Sequence, residues 1–261
     1  MSDYKQRFEK FISDFDYATD TGELDIYTDF PELYEAFYKN HYNYSGIVEL
    51  IEKYSELNED SIIVEGACGT GNLLQELDDK PYNTFGFDLS PEMLSIASKN
   101  TDATLFRSDL VDFYLPYDIQ TLVVLGNSLY HLNKQERKAF FEQAYKNMAN
   151  RSTLIFSYID SNEINDGQSE SVCYTINDLK IRRNSVSVQR GQNIKLNFSF
   201  RITNESKTEM KPIQMGVALD GFAHNPKEID SELKNAGFKN ITITKTEEST
   251  NHTITIARKI S

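Results

Sequence analysis

The sequence predicts an α/β fold with a parallel sheet, and the first observation behind this is a pair of strands joined by a helix. The apolar run 61–64 is typical of a buried strand, and it leads through the small residues of 65–71 into a helix. A second strand, 83–87, ends at Asp88. Because strands joined in this way are parallel, Glu65 and Asp88 are expected at one edge of the sheet, where ligands bind in open α/β folds.

The residues of this turn predict the kind of ligand. A carboxylate at the position of Asp88 typically binds the two hydroxyls of a ribose. The dinucleotide fingerprint requires a third small residue, but Leu74 stands there, and Glu65 would repel phosphates at the helix N-terminus. S-adenosylmethionine fits both carboxylates better, since it has a sulfonium and an ammonium group beside its ribose. The glycines alone are also compatible with an ordinary tight turn.

Further elements continue the sheet. Ser90 and Pro91 favour the start of a helix, because serine caps the first turn and proline is tolerated within it. A third strand, 103–107, and a fourth strand, 121–125, each run into a loop with polar residues, the second of these loops being 126–132. The chain therefore offers a candidate binding loop after each of its first four strands.

With these motifs in this order, residues 61–160 resemble the class I S-adenosylmethionine-dependent methyltransferases. The resemblance implies a Rossmann-like, seven-stranded, mostly parallel sheet with N-terminal lid helices and an antiparallel β insertion. The segment 125–132 is similar to a loop of glycine N-methyltransferases and amino-sugar N,N-dimethyltransferases, in which alanine often stands where Ala67 does here. The resemblance thus implies S-adenosylmethionine as cofactor and a small-molecule amine, of the glycine, sarcosine or amino-sugar type, as methyl acceptor.

The same resemblance assigns cofactor-binding roles to residues at strand ends, in the following loops and in the N-terminal region: Tyr34, Glu65, Ala67, Gly69, Asp88, Leu89, Met93, Asp109, Leu110 and Leu125. The residues of the first turn would surround the methionine part, Asp88 would bind the ribose, and those from Leu89 to Leu110 would contact the adenine. Leu125 would offer its backbone carbonyl to the ammonium group, and Tyr34 a hydroxyl from the lid. Met93 and Leu110 could equally belong to the apolar core.

Catalytic roles are predicted for Asn127, His131 and Tyr34. Methyl transfer to nitrogen is an in-line displacement without a metal or a covalent enzyme intermediate, so positioning of the reactants is expected to dominate. An ammonium acceptor must first lose a proton, and His131 would titrate in the right range to remove it. Asn127 would orient the nucleophile. Both residues are also compatible with a turn and a helix cap.

The pattern of the chain predicts four segments. Residues 1–58 form N-terminal lid helices, and the first of these is an amphipathic helix with a stripe of Tyr4, Phe8, Phe11, Ile12 and Phe15. Residues 59–160 form the cofactor-binding core, and residues 226–261 complete it. Between them, residues 161–225 alternate polar and apolar side chains, which predicts an antiparallel β insertion that roofs the substrate or builds a dimer contact.

The charge, the apolar runs and the cysteine count of the chain argue against several classes of protein. The formal net charge of −13 argues against a nucleic-acid partner, because such affinity depends on clustered Lys and Arg. The basic cluster 180–183 is interpreted as an exposed strand face. We recognise neither a membrane-spanning run nor a secretion leader, and the two cysteines suit neither a disulfide framework nor a metal site. We therefore expect a cytoplasmic enzyme without metal or membrane contact, with a homodimer as one arrangement.

Two other interpretations stay open. Relatives of this fold can cleave or cyclise S-adenosylmethionine itself, and the released nucleoside is then methylthioadenosine instead of S-adenosylhomocysteine. A non-catalytic cofactor-binding protein would bind the same ligand without turnover and use the insertion as an interaction surface.

Overall fold

The computed structural model describes residues 5–7, 10, 25–39, 41–164, 166–206, 212–245 and 253–260. The stripe of Tyr4, Phe8, Phe11, Ile12 and Phe15 lies outside the described residues. The chain forms two compact units: an insertion unit, Met1–His41 with Ile164–Asp220, and a core unit, Tyr42–Glu163 with Gly221–Ser261. The division at residues 58, 160 and 225 stays a prediction.

The described strands and helices are the following. The strands are β1 (Ile62–Gly66), β2 (Asn83–Asp88), β3 (Thr104–Arg107), β4 (Ile119–Val124), β5 (Met148–Tyr158), β6 (Ser169–Ile176), β7 (Leu179–Arg190), β8 (Asn193–Asn204), β9 (Ile213–Phe222), β10 (Lys239–Lys245) and β11 (Thr253–Lys259). The α-helices are α1 (Pro31–Tyr38), α2 (Tyr44–Tyr54), α3 (Asn72–Leu77), α4 (Pro91–Asn100), α5 (Lys134–Asn147) and α6 (Pro226–Ala236). A short 3₁₀ helix spans Ser128–His131.

The core unit contains a seven-stranded sheet with the spatial order β10-β11-β5-β4-β1-β2-β3. Strand β1 pairs in parallel with both β2 and β4, and β4 pairs in parallel with β5. Among the described strands of this sheet, only β11 runs against its neighbours, β5 and β10. This confirms the predicted seven-stranded, mostly parallel sheet. The strand order reverses at β1, which places a ligand crevice at the carboxyl ends of β1 and β4.

Local signals in the sequence set the ends of the helices beside this crevice. The Ser90 hydroxyl accepts a hydrogen bond from the Met93 N–H at 3.1 Å, so helix α4 begins where the serine and proline predict. Helix α5 begins with a capping box, in which Asn133 and Glu136 accept hydrogen bonds from each other's backbone N–H. The inner face of α5 packs on the sheet through Phe140, Phe141 and Ala144, together with further buried residues.

The insertion unit contains a four-stranded sheet in the order β6-β7-β8-β9, which confirms the predicted antiparallel insertion. Strands β7 and β8 are joined by a two-residue turn after Arg190, where Gly191 adopts a φ of 65° that suits a tight hairpin. Helix α1 packs its apolar side against this sheet. Leu33 and Phe37 of the helix share one buried cluster with residues of β7, β8 and β9.

The interpretation of cluster 180–183 as an exposed face is wrong for Arg183, which is only 6% exposed. Side chains alternate along a strand, so Arg183 shares its face with the buried Ile181. Its guanidinium lies over the rings of Phe37 at 4.5 Å and Phe198 at 5.3 Å. Its Nη2 also donates to Glu170 Oε2 at 2.9 Å. The aromatic faces and the carboxylate together compensate the buried charge.

Within the described ranges, no helix combines the length and the apolar character that crossing a membrane requires.

Candidate active site

The turn after β1 forms the floor of the candidate site. Ala67, Gly69 and Gly71 all have positive φ values, of 52°, 52° and 76°. This conformation is strained for a residue with a Cβ, so its occurrence at Ala67 is the kind of local cost that proteins tend to keep at functional sites. The turn is fastened to β2, because the Cys68 N–H donates to the Phe87 carbonyl at 3.0 Å and the Gly69 N–H donates to Asp88 Oδ2 at 2.8 Å.

Glu65 and Asp88 stand next to each other at the ends of β1 and β2. Glu65 is 6% exposed, and among the described residues its Oε2 has no hydrogen-bond partner. Burial, and then the negative charge of Asp88, raise the pKa of Glu65 well above its usual range. A buried carboxyl oxygen without a partner is costly, so this oxygen suits a cationic or hydrogen-bond-donating ligand group.

Asp88 is held for ligand binding by backbone groups. Its Oδ2 accepts the Gly69 N–H, and its Oδ1 accepts the Ser90 N–H at 2.9 Å. Burial raises the pKa of Asp88, whereas these backbone N–H groups act in the opposite direction. Each carboxylate oxygen has a second lone pair, so the side chain can still accept two hydroxyl donors from a ribose.

The residues after Asp88 divide into an exposed and a buried set. Leu89 is 57% exposed, so a large apolar side chain faces solvent in the position next to Asp88. The Leu89 backbone carbonyl accepts the Arg107 Nε–H at 2.9 Å. Met93 and Leu110 are both buried. Asp109 is partly buried, and its Oδ1 accepts the Val111 N–H at 3.1 Å. Leu89 is therefore the residue of this group best placed to cover a ligand ring, and the adenine roles of all four stay predictions.

Leu74, the residue that departs from the dinucleotide fingerprint, is fully buried on α3. A Cβ built on Gly86 of β2 would lie 2.5 Å from Leu74 Cδ1 and 2.9 Å from Leu105 Cδ2. The small residue that allows close packing of helix and strand is thus on the strand, whereas the dinucleotide fingerprint places it on the helix.

The loop after β4 has a second strained conformation. Gly126 and Asn127 have φ values of 66° and 59°, and the Asn127 N–H donates to Ser157 Oγ at 3.0 Å. The Leu125 carbonyl, predicted to bind the ammonium group, already accepts the Ser128 N–H at 3.2 Å and the Ser128 hydroxyl at 2.7 Å. An ammonium group would have to replace the hydroxyl, which is free to rotate away.

The predicted catalytic side chains lie in both units. His131 ends the 3₁₀ helix of the core unit and is exposed, with its ring edge-on to Tyr130 at 5.3 Å between ring centroids. Tyr34 belongs to the insertion unit, where its ring packs against Tyr38 at 4.4 Å and Tyr27 at 5.7 Å. The structure brings Asn127 and His131 onto one loop, and the roles of all three residues stay predictions.

A buried polar network behind this loop was not predicted. His224 is 1% exposed, its Nε2 lies 2.7 Å from the Leu129 carbonyl, and its Nδ1 lies 2.5 Å from Arg137 Nη1. Arg137, 2% exposed, also donates to both carboxylate oxygens of Glu232, at 2.7 and 2.8 Å. Burial lowers the pKa of His224 to about 4, and the Arg137 charge acts in the same direction. The one feature of the sequence that could have indicated this network is the helical spacing of Arg137, which puts it on the same side of α5 as the buried Phe140, Phe141 and Ala144.

The seven-stranded sheet, with β11 antiparallel to its neighbours, has the fold seen in solved class I methyltransferases. Residues 63–150 match the methyltransferase domain family. Over 124 residues the chain is 29% identical to the dTDP-3-amino-3,6-dideoxy-alpha-D-glucopyranose N,N-dimethyltransferase of Streptomyces fradiae. That match covers 45% of this chain and 48% of the relative, so the chain spans about half the length of the curated protein.

Solved structures share the fold over most of the chain. DesVI of Streptomyces venezuelae has a TM-score of 0.77 and 21% identity, covering 91% of this chain and 99% of DesVI. CalS10, an amino pentose methyltransferase from Micromonospora echinaspora that was solved with bound S-adenosylmethionine, has a TM-score of 0.75 and 16% identity. The match covers 87% of this chain and 96% of CalS10. At these identities the likeness concerns the fold alone.

Proposed function

We propose that this protein transfers a methyl group from S-adenosylmethionine to the amine nitrogen of a small molecule, with an amino sugar as the acceptor class. The observation that carries the proposal is the pair of Glu65 and Asp88 at the carboxyl ends of β1 and β2. Their chemistry suits a ligand with both a cationic group and ribose hydroxyls. The choice of an amino sugar over glycine rests on the function of the Streptomyces fradiae relative.

The residues present fit this cofactor. The buried Oε2 of Glu65, which has no partner among the described residues, would accept a hydrogen bond from the ammonium group of the methionine part. Asp88 would hold the ribose, and the exposed Leu89 would cover the adenine. When bound, the cofactor supplies a methyl group on a positively charged sulfur.

The chain itself has three tasks in this reaction. The turn after β1 and the side chain of Asp88 fix the donor, so that attack becomes effectively intramolecular, which is the largest contribution expected. Asn127 orients the acceptor from the loop after β4. His131 removes the proton from the acceptor ammonium, a contribution typically worth about 10²- to 10⁴-fold in rate. Its exposure on the loop leaves it in exchange with solvent protons.

The proposal is tested by mass spectrometry after incubation with methyl-labelled S-adenosylmethionine and three acceptors: a nucleotide-linked 3-amino sugar, glycine and sarcosine. Labelled amino sugar with S-adenosylhomocysteine is the expected result. Labelled sarcosine or dimethylglycine would reassign the acceptor to the glycine type. Methylthioadenosine would indicate cleavage or cyclisation of the cofactor, and binding without any product would indicate a non-catalytic protein. Counting the label also tells how many methyl groups are added.

We also propose a cytoplasmic location, supported by the two free thiols of Cys68 and Cys173, which suit a reducing compartment. A homodimer remains a prediction, and the mass of the protein in solution tests it.

A further inference from the structure

We infer that His224 and Arg137 are positioning residues that hold the loop between β4 and α5 in the conformation used for acceptor binding. The inference rests on the proposed function, because that function makes this loop, with Asn127 and His131, the acceptor side of the site. Neither His224 nor Arg137 need touch the substrate. Both act through the backbone of the 3₁₀ helix Ser128–His131.

The chemistry of the network determines which nitrogen of His224 carries the hydrogen. A guanidinium has only donors, so the Nδ1 of His224, 2.5 Å from Arg137 Nη1, must be the acceptor. The hydrogen is therefore on Nε2, which donates to the Leu129 carbonyl at 2.7 Å. Arg137 in turn is held in one orientation by its two hydrogen bonds to Glu232 on α6. Arg137 thus favours the tautomer of His224 that has its hydrogen on Nε2, which is the one that can donate to the Leu129 carbonyl.

The Leu129 carbonyl links the imidazole of His224 to the backbone of the loop. It accepts His224 Nε2 on one side and the Leu132 N–H at 3.0 Å on the other, so both of its lone pairs are used. The Tyr130 N–H donates to the Asn127 carbonyl at 2.7 Å in the same turn. The imidazole is therefore joined, through one peptide group, to the segment that presents Asn127 and His131.

The backbone around His224 is fastened to the sheet as well. The His224 N–H donates to the Ile159 carbonyl at 2.9 Å, and its own carbonyl accepts the Ser161 N–H at 3.0 Å. Three residues earlier, Gly221 lies so close to Tyr130 that a Cβ there would overlap the tyrosine ring and its carbonyl. The returning chain 221–224 therefore contacts both the end of β5 and the loop after β4. The conformation of the loop after β4 therefore depends on segment 221–224 through two contacts. These are the hydrogen bond from His224 to the Leu129 carbonyl and the packing of Gly221 against Tyr130.

Three variants separate positioning from general stability. His224→Phe keeps the ring volume but removes both hydrogen bonds. His224→Gln keeps an amide that can donate to Leu129 and accept from Arg137. The matched control is Lys234→Met, which removes an exposed ion pair with Asp230 within α6.

The first readout is hydrogen exchange of peptides covering 126–132, compared with peptides covering 83–90. For His224→Phe we expect about 5- to 10-fold faster exchange in 126–132 alone, an effect of the size that one lost hydrogen bond produces. The affinity for S-adenosylhomocysteine should stay within about twofold. For the methyl acceptor, kcat/KM should fall about 10- to 100-fold, His224→Gln should recover most of it, and the control should match the parent.

Each outcome decides the inference. Unchanged exchange in 126–132, or equally faster exchange in both regions, would overturn it. If neither histidine variant binds S-adenosylhomocysteine, His224 is a folding residue and the inference is wrong. If the parent methylates no amine, the proposed function fails, while the exchange comparison still decides whether His224 holds the loop.

Discussion

Replacing Glu65 by glutamine tests the electrostatic basis of the candidate site. The substitution keeps the shape of the side chain and removes its charge. Because burial and Asp88 raise the pKa of Glu65, the folded protein without ligand favours the neutral carboxyl group, which an amide resembles. At neutral pH this carboxyl is ionised in the unfolded chain, and the variant removes the free-energy cost of neutralising it on folding. We therefore expect a melting temperature equal to or above that of the parent.

Cofactor binding should respond in the opposite direction. The variant keeps an amide oxygen as acceptor but loses the negative charge of the acceptor, and a buried hydrogen bond between charged groups is worth about 1.5 to 3 kcal/mol. This free energy corresponds to a dissociation constant about 10- to 150-fold weaker for both S-adenosylmethionine and S-adenosylhomocysteine. In the parent, binding of the cation should release a proton from Glu65, so affinity should increase as the pH rises towards the raised pKa of this group. Glu65→Gln should show neither the proton release nor this pH dependence.

Isothermal titration calorimetry in two buffers of different ionisation enthalpy measures both the affinity and the proton release. The control is Glu59→Gln, which removes the same charge from an exposed position of the core unit. Affinity equal to that of the parent, or a melting temperature lowered by several degrees, would refute the reasoning.

Four further predictions follow from the same structure. Asp88→Ala should abolish S-adenosylhomocysteine binding by calorimetry, since the ribose loses its acceptor and the turn after β1 and the start of α4 each lose a hydrogen bond. His131→Ala should leave that binding intact and slow turnover, and equal turnover from pH 6 to 9 would exclude it as the base. Gly86→Ala should lower the free energy of unfolding by about 1 to 3 kcal/mol in urea, and the double variant Gly86→Ala/Leu74→Ala should lose less than the sum of the two single losses. The folded pKa of His224, about 4, lies below the unfolded value, so its neutral burial contributes stability that is complete at pH 7.5. As the pH falls to 5, about 2 kcal/mol of this contribution should be lost in urea unfolding, and His224→Gln should lose less.

Much of the core could be predicted because its signals are local. Strands buried on both faces appear as continuous apolar runs, which is why β1 lies within two residues of its predicted limits. Caps are equally local, as Ser90 shows. That Glu65 and Asp88 lie on neighbouring parallel strands follows from the strand–helix–strand unit alone, and they are close enough for the Asp88 charge to raise the pKa of Glu65.

What could not be predicted depends on partners far apart in sequence. Arg137 and Arg183 would ordinarily be assigned to the surface, and only the structure provides Glu232 and Glu170, the carboxylates that allow burial. The same holds for His224, whose two ring nitrogens are hydrogen-bonded to Leu129 and Arg137. Helix and strand periodicity indicates which face each arginine shares, but the partner elements that supply the carboxylates are set by packing, for which one sequence contains no signal.

The antiparallel strand β11 has a consequence for how the chain folds during synthesis. It pairs with β5 from Thr253 opposite Tyr158 to Lys259 opposite Ser152, so this edge of β5 lacks its partner until residues 253–259 have left the ribosome. Strands β6, β7 and β8, in contrast, pair with their neighbours in the chain through short turns, and such local hairpins form early. The hairpins can therefore be complete while β5 still presents an open edge, which is the surface that a nascent-chain chaperone would have to shield.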